Sequence, residues 1–218
     1  MNPSETILIA CECSGRITQA FLNQGIPAMS CDLNASPGSR THFQGDLLKI
    51  LPRPWKAIIA FPPCTYLSNA GNSSWNKPGQ SLLRADALQF VARIWEHPAQ
   101  FICVENPTGI LSRFLRKPDQ IIHPYYFGER ELKRTCLWLK GFPLLTHCDA
   151  PNLFYDQTHT KYPEPVRVQP SGKPVYFMGA NATKSTRAKI RSTTFHSIAQ
   201  AMAIQWAPVL KDNQNHIV

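Results

Sequence analysis

Acidic residues are scarce in this chain. Fourteen Asp and Glu stand against 23 Lys and Arg, a formal net charge of +9 over 218 residues. That balance suits a polyanionic partner, because bound Lys and Arg displace counterions from a phosphate backbone. Long apolar runs are missing too. None approaches the roughly 20 residues that a membrane-spanning helix needs. Residues 1–15, MNPSETILIACECSG, lack a basic start and hold only the short apolar run ILIA, so they do not read as a secretory signal. A cytoplasmic protein with no membrane partner is expected. The seven cysteines are Cys11, Cys13, Cys31, Cys64, Cys103, Cys136 and Cys148. Their odd number and their place in apolar runs suit buried thiols in a reducing compartment, not a disulfide framework. Only Cys11 and Cys13 are closely spaced. The second ligand pair of a structural zinc site is absent, so no metal is expected. No repeat or low-complexity tract interrupts the chain.

What is present is an alternation of short apolar runs and longer amphipathic segments. Residues 6–10 (TILIA) read as a strand, and 15–25 as a helix stopped by Gly25. Residues 26–33 supply a second strand ending near Asp32, and 45–51 a helical turn. Residues 55–61 and 100–106 are buried strands. Between them, 80–98 place Leu82, Leu83, Leu88, Val91, Ile94 and Trp95 at helical spacing. Residues 134–142 form a further strand and 194–210 a closing helix. Alternating strands and helices predict an α/β fold, a mostly parallel sheet with helices on both faces, built as one domain over residues 1–218. Residues 146–183 break the pattern. They are rich in proline and aromatics, have no helical period, and read as a short insertion.

Ligands bind beyond the carboxyl ends of the strands in such sheets. That rule singles out Glu12, Cys13, Ser14 and Gly15 after the first strand and Asp32 after the second. It also singles out Cys64 after the strand at 55–61, and Glu105 and Asn106 at the end of the next. Cys64 follows two stiffening prolines in FPPCTYLSNAG, Phe61 to Gly71. It is either a structural thiol in a turn or a nucleophile, which a thiolate becomes when its pKa falls or a base stands near. Glu105 ends an apolar strand, where a carboxylate is costly unless paired or used. It is either a cap or lysine partner, or a general acid whose pKa burial raises. CSGR holds one glycine, Gly15, and does not match the phosphate-binding GxGxxG. Asp32 stands where an acid grips ribose hydroxyls, and Asp46 in QGDL is within reach of an adenine ring. Each of these also reads as an ordinary loop residue or helix cap. Late in the chain, Lys184, Arg187, Lys189 and Arg191 cluster with no acid between them. They read either as a solvated face or as a contact to a nucleic-acid backbone.

The ordered set CSG, CDL, GDL, FPPCTYLSNAG, VENP and KRTCLWLKGFP resembles the DNA cytosine-5 methyltransferases, and looks closest to the small phage and prophage versions. The resemblance implies a Rossmann-like fold dependent on S-adenosyl-L-methionine, with DNA, duplex or single-stranded, as the substrate. It implies that Cys64 of Pro62-Pro63-Cys64 is the nucleophile and Glu105 of Glu105-Asn106 the acid. Lys133 and Arg134 then fall in the family's arginine-bearing segment, and Asn106 and Arg134 join Cys64 and Glu105 as the implied catalytic residues. Glu12, Cys13, Ser14, Gly15, Asp32, Asp46 and Pro62 fall around the cofactor. Amino-group methylases carry an aromatic residue after the two prolines, where this chain has Cys64. The match departs at Thr65, where the family usually has glutamine, at the first loop ECSG, and at His196-Ser197, where small relatives tend to have Pro-Gly. The long recognition domain is replaced by residues 146–183. Either that segment reads sequence with few contacts, or specificity is low, or a partner protein supplies it. Two other classes remain: the same chemistry on a free cytosine nucleotide, on RNA or with a different donor, and a non-catalytic nucleic-acid-binding decoy.

Overall fold

A computed structural model describes residues 2–69, 78–129, 131–147, 164–176, 183 and 195–212. Its strands are β1 (Ile7–Ala10), β2 (Ala28–Asp32), β3 (His42–Gln44), β4 (Ala57–Ala60), β5 (Phe101–Pro107), β6 (Gln120–Ile122) and β7 (Thr135–Lys140). They form one sheet in the order β3-β2-β1-β4-β5-β7-β6. The helices are α1 (Arg16–Asn23), α2 (Gln80–Trp95), the single turn α3 (Leu111–Phe114) and α4 (His196–Asp212).

Strand alternation builds two cores. Ile7 and Ile9 of β1 face α1 and α4, where Phe21, Met202 and Trp206 are buried with them. Leu8 and Ala10 face the other way, onto Trp55 and onto Val91 and Ile94 of α2. Side chains two apart on a strand share a face, so a run apolar throughout, as ILIA is, can only be buried on both sides. Helices therefore cover both faces, as the alternation of elements predicts. α1 ends as its glycine requires. Gly25 has φ +74, its N–H donates to Leu22 O at 2.9 Å, and Ile26 N–H donates to Phe21 O at 3.0 Å. That is the paired closure that satisfies the last carbonyls of a helix.

Three features go beyond what the residue order shows. First, α2 does not bury its whole apolar stripe. Only Val91 and Ile94 are fully covered, and Leu82 is 71% exposed. The helix docks by its C-terminal half. Second, β3 and β6 have three residues each, too few for a period to show in sequence. Third, the sheet is not parallel at its far end. β7 runs antiparallel to both β5 and β6, with Asn106 opposite Cys136 and Pro107 opposite Thr135. The chain leaves β5, returns through α3, rises again as β6, and comes back down as β7 between the two.

Within the 146–183 stretch, Arg167–Val168 (β8) pairs antiparallel with Pro174–Val175 (β9). The hairpin turns through Gly172, at φ +77, whose N–H donates to Gln169 O at 2.8 Å. The stretch is rooted firmly at its start. Gln120 grips Leu145 through both its amide atoms, and Gln205 of α4 does the same to Thr146. His147 stacks on Tyr126, with 4.4 Å between ring centroids.

Candidate active site

Five segments meet at the carboxyl edge of the parallel strands: the loops after β1, β2, β4 and β5, and the start of β7. Loop 61–69 follows β4. Phe61 N–H donates to Ala10 O at 2.9 Å and prolongs the β4–β1 pairing. After the prolines, Leu67 and Ser68 N–H groups turn back onto Cys64 O at 3.1 and 2.9 Å. Cys64 lies at the exposed crest of this loop. Leu67 and Ser68 are buried at its base, and Arg84 of α2 ties in with a 3.3 Å hydrogen bond from Nε to Tyr66 O.

The other cysteines with a displaced pKa are held protonated. Burial, with Asp32 next, pushes Cys11 up to about 12 and Cys31 to about 11. Burial likewise raises Cys103 and Cys136. A thiol needs solvent or a positive neighbour to ionise; for these four burial is the largest influence, and even the Arg134 charge beside Cys136 does not outweigh it.

Glu105 and Asn106 close β5. Asn106 is fully buried, and its Nδ2 donates to Pro62 O at 2.8 Å. Its Oδ1 has no hydrogen-bond partner among the described residues. Glu105 is partly exposed at the surface of the edge. Desolvation by its surroundings nevertheless holds its carboxyl above the usual carboxylate range, and the Lys133 charge only partly offsets this. A raised pKa keeps a carboxylic acid neutral at higher pH, so that it can donate.

The reversed direction of β7 brings Lys133 and Arg134 here. In a parallel strand they would precede the amino end, on the far side of the sheet. Antiparallel, they sit just beyond Pro107. Arg134 is exposed. Its charge adds to burial in lowering the pKa of His123. Lys133 Nζ lies 5.8 Å from the centroid of Phe195, at the entry to α4. The α4 start is also tied back to this segment, since Ser197 N–H donates to Glu129 Oε1 at 3.4 Å.

At the β1–β2 end of the edge, Glu12 is 4% exposed. Its carboxylate turns inward, accepting from the hydroxyls of Ser14 and, at 3.3 Å, Thr18. It shapes the loop from below. Cys11 takes φ +59, which turns the chain sharply, and Cys13 is partly exposed. Gly15, at φ +74, begins α1 against the backbone of Gly38. A Cβ there would stand 2.5 Å from Gly38 C. The loop after β2 is thus laid on the loop after β1. His42 fixes it from beneath through Ser30 Oγ and Asn34 O, each at 2.9 Å. Because Asn34 O only accepts, His42 carries its proton on Nε2. Asp32 uses Oδ1 to hold Asn34, with N–H···O at 2.8 Å. Asp46 is exposed and caps Leu48 N–H at 3.0 Å. Pro62 is buried and faces Asn106.

Cys64, Glu105, Asn106, Pro62 and Arg134 are therefore gathered at one end of the edge, and Glu12, Cys13, Ser14, Gly15, Asp32 and Asp46 at the other. Lys184, Arg187, Lys189 and Arg191 lie outside the described residues. Two residues of the edge are not singled out by the motifs. Leu33, 73% exposed directly after Asp32, offers an apolar surface that a strand-ending leucine in CDLN could have pointed to. Gly109, three positions after Asn106, reads as an ordinary turn glycine. Lys133 is placed beside Arg134 by the resemblance, but the direction of β7 that brings both to this edge is not legible in sequence. Among the described residues no three His, Cys, Asp or Glu cluster as metal ligands, and no helix is long and apolar enough to cross a membrane.

The strand order, with its antiparallel seventh strand set between the fifth and sixth, is that of a Rossmann-like α/β methyltransferase fold. No family model and no curated protein matches the chain. Solved structures do. One is described as a DNA modification methyltransferase encoded within a prophage (E. coli), at 14% identity and TM-score 0.39, covering 62% of this chain and 45% of that one. The Dnmt2 methyltransferase of S. pombe matches at 17% identity and TM-score 0.40, covering 66% of this chain and 52% of its own. A Dnmt2 variant from Spodoptera frugiperda matches at 14% identity and TM-score 0.36, covering 62% and 50%. The chain spans about half the length of the solved structures it matches.

Proposed function

We propose that the chain is a DNA (cytosine-5)-methyltransferase that uses S-adenosylmethionine. One observation carries this reading. An exposed thiol, Cys64, crests a loop whose two ends rest on the residues following Glu105, a carboxyl that burial keeps above its usual range. Cytosine C5 is too weak a nucleophile to take a methyl group directly. A thiolate adding to C6 makes the ring an enamine with electron density at C5. Cys64 Sγ forms that C6–S bond, while neutral Glu105 donates to ring N3 and stabilises the charge that develops there. Once C5 carries the methyl group, a base takes the C5 proton, the C6–S electron pair leaves with sulfur, and Cys64 returns as the thiolate. In a duplex the base must first leave the stack.

The donor-side residues fit the proposed cofactor. Asp32 keeps its Oδ2 without a hydrogen bond among the described residues, available to ribose hydroxyls. Leu33 offers apolar surface for an adenine ring, and Gly15 with Gly38 lets the two loops close together. S-adenosylmethionine supplies the electrophilic methyl group when bound. Arg134 belongs with Cys64, Glu105 and Asn106 in the catalytic group, and the cluster of Lys184, Arg187, Lys189 and Arg191 holds the phosphate backbone. Target choice falls to residues 146–183 or to a protein partner. In cells expressing the wild-type chain, nucleoside mass analysis of the DNA yields 5-methylcytosine, and Cys64→Ser removes it while leaving the folded fraction unchanged. An oligonucleotide carrying 5-fluorocytosine traps the wild type covalently. Turnover retained by Cys64→Ser refutes the nucleophile, and methylation of RNA or of free nucleotide alone refutes the DNA substrate.

A further inference from the structure

Loop 61–69 stands on two feet, and both are planted on the chain that follows Glu105. At one foot Asn106 Nδ2 holds Pro62 O at 2.8 Å. At the other, Ile110 N–H donates to Leu67 O at 2.9 Å and Asn69 N–H donates to Thr108 O at 3.0 Å, with Ser68 and Gly109 facing each other as an isolated antiparallel bridge. Leu67 and Ser68 are buried there, whereas Pro63, Cys64 and Thr65 between the feet are exposed. The second foot is unusually close. A Cβ on Gly109 would overlap Leu67 O and stand 2.8 Å from both Leu67 C and Ser68 Cα. Gly109 is not among the positive-φ glycines, so its backbone conformation does not demand glycine. The backbone packed against it does.

We infer that this bridge is a clamp that makes the Cys64 loop and the Glu105 strand end one rigid body, with Gly109 as its positioning residue. The inference rests on the proposed roles of Cys64 and Glu105. A thiol that must meet one face of a base while an acid meets its edge has little positional freedom. A misplacement of about 1 Å costs on the order of 100-fold in rate. The clamp removes that freedom before any substrate arrives. It does so through backbone hydrogen bonds, whose lengths side-chain rotation cannot alter. A side chain at position 109 lifts Leu67 and tilts the crest that carries Cys64, while the donor side, at the far end of the edge, is untouched.

Two variants test the clamp. Gly109→Ala is expected to lower kcat on a cytosine oligonucleotide about 100-fold, with KM for S-adenosylmethionine within about threefold of wild type as a uniform-binding control. Hydrogen exchange at the Ile110 amide is expected to accelerate, because its acceptor moves away. Asn69→Pro removes the Asn69 N–H and sets the ring Cδ against Thr108 O, where that N–H pointed, so it pries the same foot open from the other strand. It is expected to lower kcat at least about tenfold, again with donor KM unchanged. If neither variant folds, an Ile110 amide that exchanges unprotected in the wild type overturns the inference. Wild-type kcat together with wild-type protection of Ile110 in Gly109→Ala overturns the inference. If that variant does not fold, the same outcome in Asn69→Pro overturns it. Should the wild type methylate no cytosine, the exchange measurement still decides. Loss of Ile110 protection in Gly109→Ala supports the clamp, and retention refutes it independently of the reaction.

Discussion

Gly15→Ala tests how the proposed donor site is built, and Gly25→Ala supplies its control. Both glycines have φ +74, so an alanine at either carries the same backbone penalty, roughly 1–2 kcal/mol for a left-handed residue. Their surroundings differ. Near Gly25 a Cβ meets only Lys211 Nζ, 4.0 Å away at the end of a flexible side chain. At Gly15 it would stand 2.5 Å from Gly38 C, 2.7 Å from Gly38 O and 2.9 Å from Ser39 N, all backbone atoms. Forcing a methyl group against such neighbours typically adds about 1–3 kcal/mol. Gly25→Ala is therefore expected to cost about 1–2 kcal/mol, and Gly15→Ala about 2–5 kcal/mol. Urea denaturation of both variants reads the difference. Relieving the overlap at Gly15 displaces loop 33–41, which carries Leu33 and is hung from Asp32 and His42. Calorimetric titration should then show weaker S-adenosylmethionine binding for Gly15→Ala, with Gly25→Ala at wild-type affinity. Equal destabilisation of the two variants, with equal donor affinity, refutes the packing of loop on loop as the support of the cofactor site.

Glu105→Gln is expected to abolish turnover and to stabilise the fold in a pH-dependent way. Folding raises the Glu105 pKa. The carboxylate's cost is therefore absent below the ordinary carboxylate value and grows as pH climbs through the raised one. Urea midpoints of variant and wild type should coincide at acid pH and separate in favour of the variant toward neutrality; a gap independent of pH contradicts the assignment. Asn106→Ala leaves Pro62 O without its partner in a buried place and is expected to cost about 1–3 kcal/mol, measured by denaturation; a neutral change refutes the first foot of the loop. Neutralising Arg187 and Arg191 together should flatten the slope of log affinity against log salt by about one for each phosphate they hold; an unchanged slope removes the 184–191 cluster from the DNA interface.

Much of the fold is legible from residue order. ILIA, AIIA and FICV are apolar without alternation, and only a strand covered on both faces tolerates that. Gly25 marks the end of α1 because the left-handed closure there excludes a Cβ. Those strands in turn point to Cys64, Glu105 and Asp32, since the carboxyl ends of parallel strands are where ligands gather. The amphipathic stripe of α2 is legible as well. Its exposure at Leu82 is not, because burial depends on what lies opposite.

Tertiary structure alone decided the rest, and it did so through pairings between residues distant in sequence. Nothing in KRTCLWLK states its direction. Only hydrogen bonding between β5 and β6 reverses β7, and that reversal carries Lys133 and Arg134 to the edge where Glu105 stands. By position Glu12 is a ligand contact, yet the fold sets Ser14 and Thr18 beneath it and turns its carboxylate inward. By pattern Gly109 is an ordinary turn residue, yet the fold lays Leu67, some forty positions earlier, against it. Local pattern registers the conformation a residue adopts, whereas strand direction, close approach and the filling of a carboxylate's hydrogen bonds are set by atoms that only folding brings near.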